Sequence, residues 1–219
     1  MRTTLIALLF FFTGHATAVD LVVGSAGGQL QGHVVADFPD PWAVSFLDDA
    51  QLLVTTKSGR LWLLTTTGDT ALVQGVPTVF AGGQGGLGDV VPHPQFSDNR
   101  LVYLSYVNST DGGKTRFATV ARATLVASNP PKLIKLETIW RQFPAQAGMG
   151  HFSHRIAFGP THSPHAGKLF ISSGDRQALS PAQNWDMNLG KIVRLNDDGS
   201  VPSDNPFQNN GALATSFWT

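Results

Sequence analysis

Beyond residue 20 the chain alternates short apolar runs with polar turns, and helical spacing of apolar residues is hard to find. Trp42-Ala43-Val44-Ser45-Phe46, Leu52-Leu53-Val54-Thr55 and Leu61-Trp62-Leu63-Leu64 are strand-length and rich in β-branched or aromatic residues. Gly, Asp, Ser and Pro bound them, which is how strands and their turns are spelled. Lys57-Ser58-Gly59-Arg60 predicts a hairpin turn, with Gly59 free to take a positive φ. The arrangement returns twice. Val90-Val91-Pro92 leads to Leu101-Val102-Tyr103-Leu104, followed by a strand from Arg116 to Leu125. Ile156-Ala157-Phe158-Gly159-Pro160 leads to Leu169-Phe170-Ile171-Ser172 and then Lys191-Ile192-Val193-Arg194-Leu195.

A strand-only repeat of about 50 residues points to propeller blades of four antiparallel strands, with an irregular β-sandwich as the alternative. At about 45 residues per blade, roughly 200 residues make about four blades. The final segment, Ala214-Thr215-Ser216-Phe217-Trp218-Thr219, reads as another strand with no closing element, so the expectation is an all-β, incomplete propeller.

Composition narrows the setting. Fifteen acidic and fifteen basic side chains cancel, which gives no electrostatic reason for nucleic acid or an anionic membrane as partner. Met1-Arg2-Thr3-Thr4, the apolar run from Leu5 to Phe12, and Ala16-Thr17-Ala18 spell a secretory signal over residues 1–18, with cleavage before Val19. The run is too short for a membrane span, which takes about 20 apolar residues. No cysteine is present, so disulfides and thiolate chemistry are out, and a periplasmic or secreted destination fits residues 19–219.

Three segments carry candidate chemistry. In Gly82-Gly83-Gln84-Gly85-Gly86-Leu87-Gly88-Asp89, glycines allow close backbone approach to a ligand and Gln84 offers a donor and an acceptor. A bulged turn explains the same segment without a ligand. In Gly148-Met149-Gly150-His151-Phe152-Ser153-His154-Arg155, a loop histidine before a strand suits proton abstraction, although surface or packing histidines are common. In Ser173-Gly174-Asp175-Arg176-Gln177, Asp175 follows the strand paired with the one His151 precedes. Both therefore fall at one rim, where a carboxylate can orient an imidazole; a plain turn is the alternative. His154, His162 and His165 lack the cysteine or carboxylate cluster of a metal site, and the Asx- and Pro-rich stretch from Asn196 to Phe207 lacks EF-hand spacing. No metal ligand is assigned.

Taken in order, Gly-Gln-Gly-Gly-Leu, Gly-His-Phe with Arg155-Ile156-Ala157-Phe158, Ser-Gly-Asp-Arg, and Leu189-Gly190-Lys191-Ile192-Val193-Arg194-Leu195 through Asp204-Asn205-Pro206-Phe207 resemble one family. It is the soluble, pyrroloquinoline-quinone-dependent sugar dehydrogenases, the glucose/sorbosone dehydrogenase family. The resemblance runs from about Pro41 to the end and is most specific in its last motif. It implies a six-bladed β-propeller holding pyrroloquinoline quinone (PQQ) and calcium. It also implies that His151 is the general base, Asp175 its acidic partner and Gln84 a cofactor- and sugar-site residue, with no role fixed for Arg155. The implied reaction oxidises an aldose sugar to a lactone and hands electrons to an external acceptor; a homodimer is left open. Two departures stand out: a longer loop at Pro160 to Gly167, and His154 where glycine is common. An Arg-Asn segment and the calcium ligands that the family carries later do not occur by Thr219, so the chain by itself is expected not to sustain turnover. A non-catalytic propeller binding carbohydrate or protein, and a calcium-using lactonase, are the competing classes.

Overall fold

The computed structural model describes residues 18–22 and 29–219. The signal segment expected over residues 1–18 lies outside the described residues except for Ala18. Two compact units divide the chain at Asp37/Phe38. In the first, strands β1 (Ala18–Val22) and β2 (Gln29–His33) form an antiparallel hairpin, with Ala18 opposite His33.

The second unit, Phe38–Thr219, is built from three antiparallel sheets. The first is a meander of β3 (Pro41–Phe46), β4 (Gln51–Thr56), β5 (Arg60–Thr65) and β6 (Thr70–Leu72). The second is a meander of β7 (Leu87–Pro92), β8 (Leu101–Asn108), β9 (Phe117–Val126) and β10 (Lys132–Arg141). The third joins β11 (Ser153–Phe158), β12 (Leu169–Ser173) and β13 (Lys191–Leu195). The only α-helix among the described residues is the single turn Phe96–Asn99, so the all-β expectation holds. No helix of the described residues is long and apolar enough to cross a membrane.

Long irregular connections (142–152, 159–168 and 174–190) lie between β10, β11, β12 and β13. The β4–β5 turn forms at Lys57–Arg60 with Gly59 at φ 97°. The final apolar run is not a strand. Ala214–Ser216 is a 3-10 turn, and Phe217 makes one isolated bridge to Val193. Side chains compete for its backbone: Thr215 Oγ1 donates to Ala212 O, Ser216 Oγ to Leu213 O, and Asn205 Nδ2 to Thr215 O.

The middle sheet is buried on both faces, and strand periodicity decides which residue faces which neighbour. Along β8, Val102, Leu104 and Tyr106 pack with Leu53 and Leu61 of the first sheet. The alternate residues Tyr103 and Val107 pack with Ile156, Leu169, Ile171 and Val193 of the third. Alanines 118, 121 and 123 on β9 keep the sheets close. Truncating one of these fully buried leucines to alanine costs about 2–5 kcal/mol. The first strands of the three sheets are neighbours, with β7 between β3 and β11. The segments at their ends, together with the one after β12, therefore meet at one place.

Candidate active site

The loop entering β11 is held in a conformation that side chains rarely adopt. His151, Ser153 and His154 have φ of 50°, 58° and 50°, left-handed values that cost a non-glycine residue about 1 kcal/mol or more. Hydrogen bonds from two other segments hold it there. The His151 N–H donates to Gln84 Oε1 at 2.6 Å, and the Gln84 N–H donates to Met149 O at 2.7 Å. From the segment after β12, the Gly174 N–H donates to Phe152 O at 3.1 Å and the Arg176 N–H to His151 O at 3.3 Å. Gly174 must be glycine, since a Cβ there would collide with the His151 carbonyl oxygen.

The same segment turns Asp175 onto the imidazole. His151 Nδ1 lies 2.9 Å from Asp175 Oδ1, which also accepts the Gln177 N–H at 3.0 Å. A carboxylate can only accept, so Nδ1 carries a proton, and in the neutral ring the lone pair is on Nε2. The hydrogen bond from His151, then that from Gln177, holds the Asp175 carboxyl below the usual carboxylate range. The imidazole is half exposed and Nε2 has no partner among the described residues. An oriented ring with one free basic nitrogen at a surface is equipped to take a proton from a ligand.

His151, Gln84 and Asp175 line one cavity of about 450 Å³, together with Trp42 of β3, Phe152, Ser153 and Gly174. The three residues expected from sequence at the site are thus at one place, with His151 and Asp175 in contact at one rim. Trp42, 43 % exposed, adds an aromatic wall that sequence reading had treated as a strand residue only. The volume lies within the range of small-molecule sites. A flat aromatic wall beside an amide and a basic nitrogen offers a face to a planar ligand such as a quinone. Among the described residues no lysine or arginine lines this cavity, so the carboxylates of such a quinone would draw on groups outside this lining.

Comparison with known proteins assigns the chain to a family. The family description Glucose / Sorbosone dehydrogenase matches residues 38–219, the whole of the three-sheet unit. The chain belongs to the glucose/sorbosone dehydrogenase family. It is 36 % identical over 213 residues to the aldose sugar dehydrogenase YliI of Escherichia coli K12, covering 95 % of this chain and 55 % of that protein. The crystal structure of the soluble aldose sugar dehydrogenase of Escherichia coli in its apo form superposes with a TM-score of 0.74 at 36 % identity, covering 82 % of this chain and 50 % of that one. The PQQ-bound form of an aldose sugar dehydrogenase from Streptomyces coelicolor superposes at 0.69 with 25 % identity, covering 89 % and 53 %. The chain spans about half the length of these relatives.

Within this dehydrogenase-family chain, His154 does not crowd the cavity. Strand alternation, which begins at Ser153 rather than at Ile156, turns it inward. It is buried and stacked on Trp42 at 6.3 Å, and its Nδ1 lies 2.7 Å from Ser105 Oγ, with Nε2 unpartnered. Burial alone lowers its pKa to about 4, so it is neutral. His154 backs the wall that Trp42 forms and is not among the residues lining the cavity. Ser105 Oγ also accepts the Asp89 N–H at 2.8 Å, and Asp89 Oδ2 accepts the Ile156 N–H at 2.9 Å, which locks β7 to β8 and β11. Burial raises the Asp89 pKa, against the lowering by the Ile156 N–H and Arg155. Arg155, whose role the resemblance leaves open, is largely exposed with Nε 3.4 Å from Asp89 Oδ2.

Arg176 was written in the Ser-Gly-Asp-Arg motif but given no task by sequence reading. Its side chain is buried under the His151 loop, donating to the carbonyls of Gly148, Gly150 and Arg116. Asn205 of the last motif is structural: it accepts from Arg194 Nη1 and donates to Arg194 O and Thr215 O. Among the described residues no group of three or more His, Asp or Glu could hold a metal ion.

Proposed function

We propose that this chain carries the proton-accepting part of an exported aldose dehydrogenase, a six-bladed propeller enzyme that oxidises the anomeric carbon of a sugar to a lactone. Residues 1–18 are its signal and residues 19–219 its partial propeller domain. The observation that carries the reading is the His151–Asp175 pair at 2.9 Å on a cavity that also holds Gln84.

The chemistry follows from what each residue does. An aldose placed with its C1 hydroxyl at His151 Nε2 loses that proton to the imidazole, while the C1 hydrogen leaves with its electron pair and C1–O becomes a carbonyl. Asp175 keeps Nδ1 protonated and stabilises the imidazolium that forms. Gln84 and Trp42 hold the planar partner and the sugar in facing positions, which lowers the entropic part of the barrier. PQQ, when bound, supplies the two-electron acceptor for the departing hydride, with calcium as the Lewis acid beside it and an external acceptor taking the electrons onward.

The test is dye reduction by the protein produced from its complete gene, supplied with PQQ and calcium and then with an aldose. Sugar-dependent reduction that vanishes when PQQ is omitted supports the reading. Sugar binding without reduction makes the protein a binding module, and sugar-lactone hydrolysis that needs calcium but no PQQ makes it a hydrolase; either result overturns it.

A further inference from the structure

We propose that Arg176 is a positioning residue for His151, fixing the backbone of the loop that carries the imidazole while its neighbour Asp175 fixes the ring. This rests on His151 being the proton acceptor of the site. The two consecutive residues each hold a different part of the same loop.

The guanidinium brackets His151 in sequence. Nε donates to Gly150 O at 2.9 Å and Nη2 to Gly148 O at 3.0 Å, both before the histidine. Its carbon lies 3.8 Å from the ring centroid of Phe152, immediately after the histidine. The third donor, Nη1, reaches Arg116 O at 2.7 Å, next to the start of β9. The loop is thereby referenced to the middle sheet and cannot drift with its own segment. Arg116 reinforces this, since its Nη1 donates to the same Gly148 carbonyl at 3.3 Å and its backbone pairs with Gln146.

Burying a cation is costly, and an arginine needed only for filling would be replaced by an apolar side chain at less cost. Burial, with repulsion from Arg116, lowers its pKa to about 10, which still leaves it charged at neutral pH. A cation is kept here because a planar fork can satisfy three carbonyls and lie on an aromatic face together; the ammonium of lysine, a point charge, cannot. The need is set by the loop itself, where His151, Ser153 and His154 sit in left-handed conformations that relax unless held.

The experiment compares the wild-type chain with Arg176→Lys and Arg176→Gln by amide hydrogen exchange and by ¹⁵N spectra of the His151 imidazole, neither of which requires turnover. Exchange at the His151 and Gly174 amides should rise about tenfold or more while β8 and β9 stay protected. The imidazole should change from one tautomer, protonated at Nδ1, to an averaged pair. Where the complete protein oxidises sugar, kcat should fall in Arg176→Lys with KM little changed. The proposal is overturned if loop exchange and tautomer are unchanged in both variants. It is equally overturned if Arg176→Gln unfolds and Arg176→Lys loses protection evenly across the core. Absence of sugar oxidation in wild type would count against the proposed function and leave the exchange and tautomer readings to decide the role of Arg176.

Discussion

The side-chain oxygen of Gln84 accepts the backbone N–H of His151 at 2.6 Å, a bond spanning 67 positions of sequence. It ties the glycine-rich segment before β7 to the strained loop before β11, so the residue expected to face a cofactor also sets the place of His151. Replacing Gln84 with alanine removes one hydrogen bond from an open cavity, a loss of about 1 kcal/mol. Exchange at the His151 amide should rise about fivefold, measured by NMR, with the β8–β9 amides unaffected. An unchanged His151 amide would show that the contact does not persist in solution.

The hydrogen bond between His151 and Asp175 predicts a titration change. Asp175 is held below its ordinary pKa first by the hydrogen bond from His151. A carboxyl depressed in the folded state contributes stability that is present above its unfolded pKa and is lost as pH falls through the folded value. In His151→Asn the Asp175 midpoint, followed by ¹³C carboxyl NMR, should rise toward the ordinary range. A midpoint that does not move means that the pair is not formed.

Much of this was readable in the chain because strands buried on both faces are spelled as short continuous apolar runs between turn residues. β4, β5, β8, β12 and β13 fall where the sequence places them, as does the turn at Gly59. The proximity of His151 and Asp175 follows from hairpin logic alone, since one precedes β11 and the other follows β12. β10 was not readable. It is an edge strand with mostly exposed side chains, two register shifts and Lys135 at φ 53°, so no clean alternation survives. The start of β11 was hidden because left-handed residues interrupt the pattern at Ser153 and His154. Arg176 escaped assignment because an arginine in a polar loop reads as solvated. Its burial is a tertiary fact.

Buried His154 predicts an acid sensitivity. Its folded pKa is about 4 against an ordinary 6.5. Below pH 6.5 the unfolded chain takes up a proton that the folded chain refuses, so this contribution is complete above pH 6.5 and is lost on descent toward pH 4. The loss is roughly 3 kcal/mol at about 1.4 kcal/mol per pKa unit. His93, whose pKa burial also lowers, acts in the same sense. Urea unfolding at pH 7 and pH 4.5 for wild type and His154→Asn isolates the His154 share: the variant should lose less stability between the two. Parallel losses would mean that His154 is hydrated or protonated in the folded state.

The account stands most directly on the imidazole of His151 as the group that takes the sugar proton. Steady-state sugar oxidation by His151→Asn in the complete protein, loaded with PQQ and calcium and matched to wild type in fold and sugar affinity, measures this. The predicted result is a kcat reduced about a hundredfold to ten-thousandfold with sugar binding retained. A variant that oxidises sugar at the wild-type rate would contradict it.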